Sequence, residues 1–375
     1  MKKLLIATDS FVPRMDGIAR FLLQVIPALK RDFEITVIAP AFPGEQQDPP
    51  GIRVIRIPLH HITFGDWPLP KWKSKVVRKA VDEADVVFSQ SIGPIGTIAI
   101  DRAHKTDKNA IAYIHSIEWE LAARALSHSR IFEWLIYALS KGHIQQVYNK
   151  CSLLMVPTTE IGELLKVQGI RTITTVVQMG VDTGLFVPPD AKSAAKERLG
   201  FDPKVKIVGY CGRIANEKDL VTLYRAFLML RKKRSDTLLL IVGDGLESLK
   251  RMFKKQDKIL VTGKINNVIP YLQAMDVYVL PSLTETSSLS TMEAMACGIP
   301  VITTKVGSLK FYIKNKENGL FFPKRNPYIL TLKINQLLET ESLRKMLGDQ
   351  ARKTITENFQ WNKTENMICD ILSDF

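Results

Sequence analysis

Cysteine is scarce and carries no pairing pattern. Cys151, Cys211, Cys297 and Cys369 lie far apart, with no C-x-x-C spacing. That excludes a disulfide framework or a thiolate zinc site and fits a reducing compartment. No uninterrupted apolar run approaches the roughly 18 residues of a spanning helix. The first apolar run meets Asp9 before reaching signal-peptide length, so a cytoplasmic chain is expected. A phosphate-binding G-x4-G-K-[ST] loop is missing as well. Gly263-Lys264 is followed by Ile265, so the string Asp82-Glu83-Ala84-Asp85 does not mark a helicase. Gly243-Asp244-Gly245 is followed at the third glycine's place by Ser248, which excludes the dinucleotide fingerprint. His60-His61 lacks partners at metal-ligand spacing, and no D-x-D closes a strand. Neither a metal nor a cofactor is expected.

The 375 residues are 46% hydrophobic and 24% charged, ordinary values for a globular protein. The length suggests two domains. The net charge of +14 falls mainly in the C-terminal half and would suit a polyanionic substrate, nucleic acid or an anionic membrane. Short apolar runs alternate with helical stretches, beginning with Leu4–Ala7, then Ile18–Leu29, then Glu34–Ala39. After Phe186-Val187-Pro188-Pro189 the pattern restarts at Lys206–Tyr210 and continues through Thr237–Val242, Val277–Leu280 and Val301–Thr303. Such alternation predicts two doubly wound, Rossmann-like α/β domains with parallel sheets. The first would span 1–186, completed by 359–375, and the second 187–358. Ligands in these folds bind beyond the carboxyl ends of the strands, and the cleft between two facing domains is the expected place.

The segment Val279 to Ile302 is the most informative. A strand gives way to a Ser/Thr-rich loop and then a helix from Leu289 to Cys297, stopped by Gly298 and Pro300. Amides at that helix start suit a phosphate. Glu285 and Glu293 lie eight residues apart, about 12 Å if every step is helical. That is too far for a glycosidase acid/base pair and matches a ligand with a phosphate in the middle and a hydroxyl-rich ring at each end.

Glu285 to Glu293, with the following E-A-M-A-C-G-x-P-V, resembles the E-x7-E motif of glycosyltransferase family 4, retaining enzymes of the GT-B fold. The resemblance implies that Glu285 contacts the donor sugar and Glu293 the ribose of the nucleotide. Leu289 and Ser290, where many members have Phe-Gly, would lend amides to the diphosphate, with Thr286 and Ser288 lining the same loop. Gly212-Arg213-Ile214-Ala215-Asn216-Glu217-Lys218 is similar to the family's G-R-x3-E-K loop. Arg213 and Lys218 would clamp the diphosphate and stabilise the leaving nucleotide. Phe11 to Arg20 resembles the P-x2-G-G loop; Asp16 stands for its first glycine, as in lipid-directed members, and Gly17 leaves room for close approach. His115 matches a T-Y-H position that contacts the sugar. Gln178 to Phe186 and Phe359-Gln360-Trp361 resemble further landmarks, and Lys264 would lie near the base.

Between Asp66 and Lys79, Trp67 and Trp72 alternate with Lys71, Lys73 and Lys75. Tryptophan beside lysine suits an anionic membrane interface; an ordinary basic helix is the alternative. The combined expectation is a retaining glycosyltransferase using a nucleoside-diphosphate sugar, linked to UDP or GDP, and a membrane-lipid acceptor. Three alternatives stand beside it. One is an acceptor that is a soluble glycan or polyol. Another is an epimerase acting on the nucleotide sugar, and the last a basic nucleic-acid-binding protein without transferase activity. Nucleic acid is not the expected partner.

Overall fold

Strand β1 (Lys2–Ala7) reads KKLLIA, and its last four residues are buried. Near-continuous apolar runs of this kind belong to parallel sheets covered on both faces. The computed structural model describes residues 1–14, 16–45, 48–64, 67–117 and 140–375. Packing divides the chain into two units, Met1–Gln178 with Thr364–Phe375, and Met179–Lys363.

In the first unit β1 is joined by β2 (Phe33–Pro40), β3 (Arg53–Ile57), β6 (Val86–Ser89), β7 (Asn109–Tyr113), β8 (Leu153–Val156) and β9 (Thr174–Val176). The sheet order is β3-β2-β1-β6-β7-β8-β9, and every pairing is parallel. A separate antiparallel pair, β4 (Leu59–Phe64) and β5 (Trp67–Pro70), was not foreseen from the sequence. The closing helix Trp361–Ser373 contributes buried Ile368 and Leu372. Arg31 pairs with Glu365 at 2.6 Å, and Thr364 Oγ1 donates to the Gln178 carbonyl at 2.7 Å.

The second unit holds β10 (Lys206–Cys211), β11 (Thr237–Val242), β12 (Ile259–Val261), β13 (Val277–Leu280), β14 (Val301–Thr304) and β15 (Leu320–Phe322). Their order is β12-β11-β10-β13-β14-β15, all parallel. Phe186, the residue at which the sequence pattern ends the first domain, is buried in this unit's core, and its carbonyl accepts from Arg352 at 3.0 Å. Both sheets are doubly wound, with crossovers leaving the first strand in opposite directions. Each therefore has a switch point, after β1 and β6 in one unit and after β10 and β13 in the other. Open α/β sheets bind ligands at such points. Among the described residues no helix is long and apolar enough to cross a membrane.

Candidate active site

In the second unit the loops after β10 and β13 meet at the switch point. The Leu283 N–H donates to the Glu217 carbonyl at 2.8 Å, joining one loop to the other. Lys218 Nζ lies 2.6 Å from Glu285 Oε1, which also accepts from Ser282 Oγ at 2.6 Å. Arg213 pairs with Glu217 on the same loop, so the guanidinium is held by a neighbour four residues along. Three buried tyrosines pin the backbone around these groups. Tyr210 donates to the Arg213 carbonyl at 2.7 Å and Tyr312 to the Ser287 carbonyl at 2.9 Å. The Tyr278 hydroxyl lies 3.3 Å from the Cys211 carbonyl and 2.9 Å from Ser290 Oγ. Burial holds all three phenols well above their ordinary pKa, so they stay protonated.

The helix Leu289–Ala296 starts at Ser288, whose backbone is left-handed at φ 55 and whose side chain caps nothing. Ser288 Oγ instead pairs with Thr291 Oγ1 at 2.8 Å. The first-turn amides of Leu289 and Ser290 have no intrahelical acceptor, as at any helix start. They face the end where the macrodipole favours an anion. Glu293 is buried on this helix, as is Thr286 ahead of it. The loops after β10, β11 and β12 are zipped together by bridges between Ile214 and Gly245 and between Gly243 and Gly263. Lys264 follows that second bridge. Burial pushes the Asp244 carboxyl up, but the Lys250 hydrogen bond, the Gly245 N–H and the charges of Lys250 and Lys264 together hold it below its usual value.

In the first unit Asp16 caps the helix Gly17–Leu29, its Oδ1 accepting from the N–H groups of Ile18 and Ala19, both at 3.0 Å. Ser10 Oγ donates to the other carboxylate oxygen at 2.5 Å. A side-chain cap of this kind stabilises a helix by about 1 kcal/mol. Gly17 opens the helix, and a Cβ built there would meet nothing within 4 Å. One turn on, Phe21 packs edge-on against His115, with ring centroids 4.9 Å apart, and Tyr113 lies 4.6 Å from the same ring. Burial pushes the His115 pKa down to about 3, so the imidazole is neutral wherever the protein is folded near neutrality. The unfolded ring binds a proton near pH 6.5 while the folded ring does not, so stability should be lost as pH falls from 6.5. The slope reaches at most about 1.36 kcal/mol per pH unit. Melting temperatures of wild type and His115→Asn should accordingly diverge between pH 6.5 and 4; parallel curves would mean the ring titrates normally in the fold.

Two family profiles cover most of the chain. Glycosyltransferase Family 4 matches residues 15–185, and Glycosyl transferases group 1 matches residues 191–354. The chain belongs to glycosyltransferase family 4. It is similar to a GDP-mannose-dependent alpha-(1-6)-phosphatidylinositol monomannoside mannosyltransferase of Mycolicibacterium smegmatis, 25% identical over 99% of this chain and 98% of that protein. A GDP-mannose-dependent alpha-mannosyltransferase of Corynebacterium glutamicum is 29% identical over 84% of this chain and 75% of that protein. The solved sucrose-phosphate synthase of Thermosynechococcus elongatus superposes with a TM-score of 0.80 at 19% identity, covering 100% of this chain and 99% of that one. The fold is thus GT-B, with two Rossmann-like units.

The structure of this family 4 glycosyltransferase gathers Gly212, Arg213, Lys218, Glu285, Thr286, Ser288, Leu289, Ser290 and Glu293 on the loops and helix start at the second switch point. Two readings from the sequence change. The steps from Glu285 to Ser288 are not helical, since the helix begins at Leu289, so the 12 Å spacing does not apply. The basic segment is not one helix either. Trp67–Pro70 is a strand and Ser74–Glu83 the helix, leaving Lys71, Trp72 and Lys73 between them because Pro68 and Pro70 break the helical run. Trp72 is 58% exposed; the Trp67 side chain, like Asp66, lies outside the described residues. The tyrosine pins, the Ser282 contact and the pairing of Lys218 with Glu285 were not read from the sequence. The tyrosines sit in apolar strands and a short helix, where an aromatic residue signals only core.

Proposed function

We propose that this glycosyltransferase transfers a hexosyl group, with retention of anomeric configuration, from a nucleoside-diphosphate sugar to the hydroxyl of a membrane lipid. The observation that carries the reading is the convergence at one switch point of two cationic side chains, two uncapped amides and two carboxylates. Arg213, Lys218 and the amides of Leu289 and Ser290 are the groups a diphosphate requires. The carboxylates suit hydroxyls: Glu285 the sugar, Glu293 the ribose. Lys264 is assigned to the base and His115 to a sugar hydroxyl. As the glycosidic bond breaks, negative charge grows on the diphosphate, and fixed cations and amides there stabilise the transition state more than the ground state. Lys218 would exchange part of its bond to Glu285 for a phosphate oxygen, freeing the carboxylate for the sugar. The departing diphosphate then takes the acceptor proton on the face it leaves, which preserves configuration. This reading needs no resident metal or cofactor.

Support for a lipid acceptor comes from Lys71, Lys73 and Lys75 around exposed Trp72 and from the Asp16-Gly17 loop. It also comes from the relative named for a phosphatidylinositol mannoside. The enzyme would then work at the inner face of the cell membrane as a peripheral protein. Two relatives are named as GDP-mannose-dependent, so GDP-mannose is the first donor to supply.

The test is turnover of GDP-mannose and UDP-glucose with vesicles of phosphatidylcholine alone or with added phosphatidylinositol, and the product anomer read by NMR. An α-linked glycolipid formed only with the inositol lipid supports the full reading. Transfer to a soluble polyol would keep the transferase and discard the lipid. Consumption of neither donor, together with tight, salt-sensitive RNA binding, would discard both.

Gly17 gives a second check. With open space at its Cα, Gly17→Ala should fold at least as well as wild type, alanine being the better helix former by up to about 1 kcal/mol. If substrate approaches this backbone, turnover should still fall at least about tenfold, the effect of ~1.4 kcal/mol on a barrier. Unchanged turnover would remove Gly17 from the site.

A further inference from the structure

Gln90 follows β6 at the switch point of the first sheet and is 1% exposed. Its backbone N–H donates to the Ala7 carbonyl at the end of β1, at 2.9 Å. The next residue, Ser91, fixes this loop against Asp9: Ser91 Oγ accepts from the Asp9 N–H at 2.9 Å and donates to Asp9 Oδ2 at 2.7 Å. Gln90 Oε1 lies 2.8 Å from His115 Nε2. A carboxamide oxygen can only accept, so this contact is a hydrogen bond when the imidazole proton is on Nε2, which leaves the lone pair on Nδ1. The other end of the amide, Nε2, is buried with no hydrogen-bond partner among the described residues. Packing alone does not account for such a residue, because a leucine or methionine would fill the same space and leave no polar atom unsatisfied. The rings of Phe21 and Tyr113 bound the imidazole without setting its tautomer. Tyr113 is in turn held by its hydroxyl, which donates to the Val177 carbonyl at 2.9 Å.

We propose that Gln90 is a positioning residue for His115: it selects the Nε2–H tautomer and thereby makes Nδ1 a hydrogen-bond acceptor for a sugar hydroxyl. The inference rests on the assignment of His115 to the sugar, and extends it to a residue that touches His115 from a different strand end. The low pKa of His115 fits the same arrangement, since a neutral ring needs a defined tautomer to present one acceptor.

The experiment uses the full chain with ¹⁵N-labelled histidine, assigned by comparison with His115→Ala. At pH 7 the wild type should show His115 as the Nε2–H tautomer. Gln90→Met, of similar length and without an acceptor oxygen, should show a mixture of both. Gln90→Glu keeps an oxygen facing Nε2 and should keep the wild-type tautomer, and it serves if Gln90→Met does not fold. In parallel, release of nucleoside diphosphate from GDP-mannose should fall at least tenfold in kcat for Gln90→Met. The double variant with His115→Ala should be no slower than His115→Ala alone. An unchanged tautomer in Gln90→Met, or losses that multiply in the double variant, would overturn the proposal. If the wild type consumes no nucleotide sugar, the transferase reading fails by itself, while the NMR arm still decides whether Gln90 sets the ring.

Discussion

Arg213→Ala should lower turnover of a nucleotide sugar about 10²–10³-fold, the effect of removing one fixed donor from a site of developing negative charge. The melting temperature should change little by comparison. The guanidinium is 25% exposed and pairs with Glu217, four residues along the same loop. Partly exposed pairs of that kind stabilise a fold by about 0–1 kcal/mol. Arg213→Lys keeps the charge but not the planar fork that matches phosphate oxygens, and should recover only part of the loss. Glu217→Gln separates the two roles of the pair. If Glu217 acts by aiming the guanidinium, turnover should fall by less than in Arg213→Ala, with the KM for donor raised. Near-normal activity in Arg213→Ala would remove the clamp from the mechanism, whatever the donor proves to be.

Gly243→Ala should be strongly destabilising although it removes no group from the chemistry. The residue sits at φ +145, and an added Cβ would lie 2.0 Å from the Gly212 carbonyl oxygen, a backbone atom that cannot rotate away. Backbone strain and overpacking together should cost about 3–5 kcal/mol. Gly263, its partner in the bridge, is the natural control. It is also left-handed, at φ +73, but a Cβ there meets nothing within 4 Å. Gly263→Ala should therefore cost only the conformational term, about 1–2 kcal/mol. Denaturant unfolding of the two variants distinguishes them. Equal losses would mean that the three loops are not locked as tightly as their bridges imply. Because Gly243 backs onto the Gly212-Arg213 turn, the same substitution should weaken nucleotide binding even at temperatures where the protein stays folded.

Most of the second half-site was legible because its chemistry is contiguous. Glu285 to Glu293 lies on one loop and one helix, and Gly212 to Lys218 on one loop, so spacing alone brings the groups near a strand end. What contiguity cannot give is which groups pair. Lys218 and Glu285 are 67 residues apart and meet only because β10 and β13 are neighbours in the sheet. Tyr278 was invisible for a related reason. In the run VYVL it reads as one more β-forming core residue, and only the fold shows its hydroxyl between Cys211 and Ser290. Asp16 illustrates the converse. Its departure from the usual glycine bears on the acceptor loop, and the structure adds that its carboxylate caps a helix, a role that any sequence with Asp before a helical run could suggest. The hairpin of β4 and β5 escaped because its register slips between Leu59 and Thr63, which spoils the strict alternation by which a strand is recognised.

The closing helix has a consequence for how the protein is made. Residues 364–375 belong to the first unit, yet they follow all of the second in the chain. A ribosome must therefore translate the whole second unit before it supplies the segment that carries Ile368 and Leu372 into the first. During that interval the first unit waits with an apolar face open, while the second, continuous in sequence, can fold as it emerges. Order of synthesis and order of completion run in opposite directions along this chain.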